Sequence, residues 1–292
     1  MKNKKAGFLL VLICILIITS CSTGPKDLTA GKTAQKIVEE SFDKWYQLNN
    51  YDMDMTTRMK FSTGQDAMDM SMSGKITAFQ KPMKMKMAME AAIPGMADKM
   101  KIEQYMMEQD QKVILYQLLN GQWQKLVIND PAMSKMMTMD PRDNLKLFMD
   151  NLSKAELLGE EVIGERKTVK IDLVASGKIF EQILKGTAGN SLGLGTDFLS
   201  SDILSKIGDM KYIIWIDKTT LETVKCQMDL SENMRNLGNA LAESQNTPKE
   251  MKEIFKNMEM TVEYTVSNQN KAQDFTIPEE AKNAKEVPYG KS

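Results

Sequence analysis

The chain of 292 residues sets 38 Lys and Arg against 39 Asp and Glu, and carries 26 methionines, three cysteines and no histidine. A charge this close to balance offers no basic stripe for phosphate backbones, so nucleic acid is not an expected partner. Without imidazole, general-base chemistry near neutral pH, Ser-His or Cys-His nucleophiles and most zinc sites lose their usual group, which argues against an enzyme and against a bound cofactor.

The chain opens on Lys2, Lys4 and Lys5, followed by an uncharged run over residues 6–20. A basic start and a short apolar run form the pattern of a secretory signal, too short for a comfortable membrane span. The stretch Ile18-Thr19-Ser20-Cys21 resembles a bacterial lipobox, in which the chain is cut before a cysteine that receives lipid. Residues 1–20 are therefore predicted as a lipoprotein signal peptide and residues 21–32 as a lipidated tether. Cys21 would carry a diacylglycerol-type, palmitate-class anchor in the cytoplasmic membrane. An uncleaved anchor helix with a chance cysteine is the alternative. Cleavage removes three lysines and Cys14, leaving a mildly acidic chain whose one unacylated thiol is Cys226. No disulfide framework is available, so a hydrophobic core must hold the fold.

Residues 29–50 read as a helix, with Ala34, Ile37, Val38, Phe42, Trp45 and Leu48 at steps of three and four, and with Thr29 or Thr33 as its cap. The period then changes to two. Met53, Met55, Met59 and Phe61 alternate with polar residues, as do Met68, Met70, Met72 and Ile76, and then Met83, Met85, Met87 and Met89. The turns "STGQD" and "QKP" separate the three runs, which predicts an antiparallel meander with one wet and one dry face. Two more strands follow in residues 103–119, and Asn120-Gly121 makes a hairpin into "QWQKLVI".

Residues 130–140 read as a loop or irregular helix and 141–152 as a short helix. Residues 155–176 form a hairpin turned at Gly164, and 176–185 a further helix. The Gly-rich stretch 185–197 lacks the Lys and the strand-loop-helix context of a phosphate cradle. Another hairpin spans 210–230, turned near Asp217-Lys218-Thr219. Helices are expected at 231–242 and 248–258, closing strands within 258–278, and a polar tail over 279–292. The fold class is α+β: about ten strands in hairpins, built as one antiparallel sheet in a single domain over residues 33–278.

The methionines pose the functional question. Thioethers suit Cu(I), and Met-x-Met along a strand places both sulfurs on one face, so a Met-based copper site is geometrically open. A plain sheet face accounts for more, because Ile, Phe and Ala take the same beat and no His or Cys joins the region. Methionine is unbranched and polarizable and repacks around different shapes, although it is a weaker strand former than Val or Ile. An apolar ligand or lipid held by Met53, Met55, Met59, Met68, Met70, Met72, Met83, Met85, Met87 and Met89 fits this choice. A self-filled core fits it equally, and a surface sensor or scaffold that contacts another protein is the third class.

The stretches "NGQWQKL", "LLGEEVIGERKTVKIDL", "YIIWIDKTTLETVKCQMDL" and "FTIPEEAKNAKEV", with the lipobox and the long meander, resemble the LolA/LppX-type lipoproteins, and more closely the DUF6612-type lipoproteins of Gram-positive bacteria. The resemblance implies a curved, half-open sheet wrapped around helices. It also implies binding or carriage of lipid-like molecules at the extracytoplasmic face of the cell membrane. Cys21 alone transfers as a functional position, since a cavity of this kind is defined by shape.

Overall fold

In the computed structural model, the described residues are 26–288 apart from 64–65, 96–97, 111, 120, 129–147, 179–200 and 244–248. The predicted signal peptide, Cys21, the 130–140 segment and the Gly-rich stretch lie outside them, as do most of the expected helices at 141–152 and 176–185. Thr33 caps the first helix, α1 (Ala34–Tyr46), its hydroxyl accepting from the Lys36 amide at 3.2 Å. The helix is shorter than the periodicity predicted, and Gln47 closes it with backbone bonds to Lys44 and Trp45. Among the described residues no helix is long and apolar enough to cross a membrane.

Twelve strands follow: β1 (Asn50–Thr63), β2 (Asp66–Gln80), β3 (Met83–Ala92), β4 (Met100–Gln109), β5 (Lys112–Leu119), β6 (Gln122–Ile128), β7 (Leu152–Ile163), β8 (Arg166–Ala175), β9 (Met210–Asp217), β10 (Thr223–Asp229), β11 (Glu259–Ser267) and β12 (Lys285–Pro288). They make one open, curved sheet in the order β12-β6-β5-β4-β3-β2-β1-β11-β10-β9-β8-β7. Every pairing is antiparallel except β12 on β6. The described residues also include the helices α2 (Ser201–Ser205), α3 (Ser231–Glu243), α4 (Lys249–Lys256) and α5 (Glu279–Lys282). The hairpin turns fall where the sequence placed them, with Gly121 and Gly164 at positive φ.

One face of the sheet, here the inner face, carries α1. Ala34, Ile37 and Val38 pack onto Val169, Ile171 and Leu173 of β8, Ile214 and Ile216 of β9, and Cys226 of β10. Leu48, just past α1, joins Tyr51, Ala78 and Val266. The edge strand β7 shows register shifts at Leu152/Lys154 and Leu157/Gly159. Such bulges, with Glu156, Glu160 and Glu161 along the strand, blunt an edge against pairing with another chain.

Two expectations are corrected at the C-terminal end. Only β11 is a closing strand: residues 268–278 form no ladder and instead run over the outer face. There Phe275 and Ile277 pack on Tyr105, Ile114 and Tyr116. Residues 279–288, expected as a polar tail, supply α5 and β12. Ala281 is 0% exposed, and Lys285 to Pro288 pair with Gln124 to Val127. A four-residue parallel edge strand needs no alternating pattern, because hydrogen bonds to β6 define it.

Candidate functional site

The ten singled-out methionines share one face, and the strand register fixes this. Met59 stands opposite Met70, Thr57 opposite Met72, Phe61 opposite Met68 and Met55 opposite Gly74. Across the next ladder Ile76 meets Met87, Gly74 meets Met89, Ala78 meets Met85 and Gln80 meets Met83. On the other side of β1, Met53 pairs with Val266, Met55 with Tyr264 and Met59 with Met260. Val266 packs against Leu48, and Tyr264 against the α1 core. The methionine face is thus the continuation of the inner face beyond the area that α1 covers, extended on β4 by Met100, Ile102 and Met106.

Cover thins across this face. Met53 packs with Trp45 at the α1 end, and Met89 is 5% exposed. Met55, Met59, Met70, Met72, Met83, Met85 and Met87 are half-buried, while Met68 and Met100 reach 37% and 43% exposure. Gly74 makes room for Met89: a Cβ there would lie 2.6 Å from Met89 Cγ and 2.4 Å from the Ala88 carbonyl oxygen. A cavity of about 480 Å³ opens on the opposite, outer face above this point, lined by Ser73, Lys75, Ala88, Glu90, Lys101 and Glu103. Met89, at its floor, is the one methionine of the ten that lines it.

The inner face is uncharged over β1, over β3 and over residues 68–80 of β2, with Asp66 on the inner beat at the β1–β2 turn, opposite Thr63. The other charged residues of these strands take the outer beat, as in Asp54–Lys75 at 3.7 Å and Lys60–Asp69 at 3.9 Å. Further round, under α1, Cys226 is 2% exposed. Burial pushes its thiol up to about 12 and lifts the neighbouring Tyr264 phenol well above its ordinary value. A thiol held neutral in this way is a packing group without nucleophilic character. Among the described residues no three His, Cys, Asp or Glu side chains gather as a metal site.

The point where the chain enters the domain is tightly fixed. The Leu28 amide donates to the Lys218 carbonyl at 2.7 Å, and Asp27 accepts from the Thr29 hydroxyl at 2.7 Å and amide at 2.9 Å. Lys218 bridges Asp27, at 3.0 Å, and Glu160. The Thr29 hydroxyl and then Lys218 hold the Asp27 carboxyl down at about 2, against a partial desolvation that raises it. Residues 26–29 are therefore clamped beside the β7–β8 hairpin and the β9–β10 turn. The sequence signalled none of this, because Glu160 and Lys218 lie more than a hundred residues further along the chain.

The sequence matches, over residues 33–286, a family model described as a family of unknown function, DUF6612. No curated protein matches it. Among solved structures, the chain is similar to the lipoprotein LppX of Mycobacterium tuberculosis, at 13% identity, covering 82% of this chain and 97% of that one with a TM-score of 0.47. It is also similar to LprF from Mycobacterium bovis, at 15% identity over 85% and 97% of the two chains with a TM-score of 0.47. A LolA superfamily protein from Nitrosomonas europaea matches at 10% identity over 84% and 96%, with a TM-score of 0.20.

Proposed function

The chain belongs to the DUF6612 family, and we propose that it is an extracytoplasmic lipoprotein that binds a hydrophobic, lipid-like ligand on its methionine-lined inner face. The observation that carries this reading is the gathering of ten methionines from three adjacent strands onto one uncharged, partly covered face. Half-buried thioethers beside a helix-covered core present apolar surface that can repack around a guest. Cys21 is the anchor position, with a diacylglycerol-type lipid in the cell membrane of a Gram-positive type bacterium. The clamp at Asp27 supports a tether that enters the domain beside the β7–β8 hairpin. From Cys21 to Asp27 the chain spans at most about 20 Å. A protein tethered so closely and holding an apolar guest is suited to lipid carriage.

The test is to purify the protein from its native host and extract it, with mass spectrometry for both lipid and copper. Co-purifying lipid at near-stoichiometric level supports the reading. Copper without lipid would reassign the face to Cu(I), and neither from folded protein would overturn ligand binding in favour of a scaffold role. Separately, Cys21→Ala should release the protein from the membrane fraction, and retention of the variant would refute the anchor.

A further inference from the structure

The methionines are not spread evenly over the inner face. In most rows across the sheet other residues stand between them, as in Tyr264, Met55, Gly74 and Met89, or Val266, Met53, Ile76 and Met87. One row differs. Met260 of β11 stands directly opposite Met59 of β1, and Met59 directly opposite Met70 of β2. Three thioethers thus occupy three adjacent strands with nothing between them, and among the described residues no other row does this. Met72 follows on the same face of β2, opposite the buried Thr57. The backbone here is fixed. The Met260 amide donates to the Ser231 hydroxyl at 3.1 Å, and its carbonyl accepts from the Leu230 amide at 2.8 Å. Met59 lies inside continuous antiparallel ladders with β11 and β2. The three side chains are only half-buried. Among the described residues the β2–β3 ladder ends at Ser71, so Met70 has β1 on one side and no ladder partner on the other. Met68, beyond it, is 37% exposed, and the row is open to solvent at this end.

We infer that Met59, Met70 and Met260 form a Cu(I) site, a soft-metal function independent of the apolar-ligand reading above. Chemistry selects the ion. Thioether sulfur is a soft ligand that suits Cu(I), whereas zinc and harder ions seek imidazole, thiolate or carboxylate, and the row offers none of these. Asp66 is on the same beat of β2 but stands beyond Met68, at the turn. Geometry permits convergence. Cβ atoms of directly opposite residues are about 4.5–5.5 Å apart, so Met70 and Met260 each need to lean across one strand spacing toward Met59. The unbranched methionine side chain, with its three rotatable bonds, makes that adjustment readily. Met72, about 7 Å from Met70 along the strand, is placed to add a fourth sulfur from the diagonal. No ligand has to lose a proton, so the site needs neither histidine nor cysteine.

The experiment titrates the full-length protein in detergent with Ag(I), a redox-stable soft ion of the same charge, with Cu(I) kept reduced by ascorbate, and with Zn(II). Native mass spectrometry reads the stoichiometry, and competition with a chromophoric Cu(I) chelator reads the affinity. The wild type should take up a single equivalent of Ag(I) or Cu(I) in preference to Zn(II). Losing a group that merely orients a ligand already lowers metal affinity by about 10–100-fold. Met59→Leu removes the central ligand while nearly conserving volume, and should weaken both soft ions by at least about tenfold. Met107→Leu, on the outer face, should leave their affinity unchanged. Circular dichroism checks folding, and Met70→Leu, at the open side of β2, repeats the comparison if Met59→Leu does not fold. A wild type that binds neither soft ion, or binds Zn(II) as tightly, would overturn the site. Variants at Met59 and Met70 that bind as tightly as wild type would overturn it too, by moving the metal to other methionines. None of these results alters what the lipid extraction says of the apolar face.

Discussion

Phe275→Ala tests whether the C-terminal segment is a structural part of the sheet. The Phe275 ring lies 6.0 Å from Phe79 and 5.8 Å from Tyr105, both inclined. The Lys84 ammonium stands 5.1 Å from Phe275 and 4.8 Å from Phe79, and it is paired with Asp274. A fully buried aromatic withdraws about 150–250 Å² from water, so half-buried Phe275 withdraws about 100 Å², equivalent to about 2.5 kcal/mol. Losing two ring pairs and a partly exposed cation–π contact adds about 1 kcal/mol, with the entropy regained by the loosened segment acting in the opposite direction. The expected destabilisation is about 2–4 kcal/mol, or a fall in Tm of about 4–12 °C for a domain this size. Urea unfolding followed by tryptophan fluorescence measures it, Trp123 being in the same cluster. Exposed Thr276→Ala is the control, expected within about 0.5 kcal/mol of wild type. A Phe275→Ala value equally close to wild type would show that the segment does not hold the outer face.

Gly74→Ala brings a methyl group within 2.4 Å of the Ala88 carbonyl oxygen, a backbone atom that cannot swing aside. It should cost about 1–3 kcal/mol in urea unfolding, and unchanged stability would refute the close approach of β2 and β3. Cys226 should resist iodoacetamide at pH 8 until urea is added. Its folded value, pushed up to about 12 by burial, lies above the unfolded value of about 8.5. The folded chain therefore keeps a proton that the unfolded chain loses, and stability should fall as pH rises from about 9 toward 12. Cys226→Ala should flatten that decline, and an identical slope would disprove the assignment. For Asp27 the folded value is about 2 against an ordinary 3.8. Its contribution is complete above about pH 4 and lost as pH falls toward 2. Amide exchange at Leu28 and Thr29 should accelerate over that window in the wild type and much less in Asp27→Asn. Replacing Met70, Met72, Met85 and Met87 together by Leu conserves volume closely and should leave the amount of co-purifying lipid within a few-fold of wild type. A collapse of lipid binding would show that the thioethers, and not the apolar surface, hold the ligand.

The strands were legible because their signal is local. Met53, Met55 and Met59, then Met68, Met70 and Met72, keep a period of two between short turns, so both face and order followed from the chain. The cover of each face was not legible. The helix α1 meets the methionine face at Met53, and that it lies over β8, β9 and β10 depends on contacts separated by more than a hundred residues. The clamp of Asp27 on Lys218 and the alignment of Gln104, Gln117 and Gln124 across β4, β5 and β6 are likewise tertiary outcomes, each residue unremarkable alone. Residues 279–288 misled for a different reason. Among many charged side chains Ala281, Ala284 and Val287 form no amphipathic stripe, and Ala281 is buried by the position of α5, not by a pattern.

That last placement bears on function. On β4, β5 and β6 the outer beat carries Tyr105, Met107, Ile114, Tyr116 and Trp123, all packed with Ala281, Phe275 or Ile277. In an ordinary two-layer arrangement the inner face of these strands would have to be the core, and polar groups there would be costly. Here the C-terminal segment forms a second core on the outside, so this half of the sheet is stabilised from behind. The inner face of these strands keeps a buried patch at Val113 and Ile128, and beside it carries the half-buried Gln104, Gln117 and Gln124. This half of the sheet is thus packed from outside by Phe275, Ile277 and Ala281 as well as from inside at Val113 and Ile128, which is how a sheet whose methionine face is only half-covered still buries enough to fold.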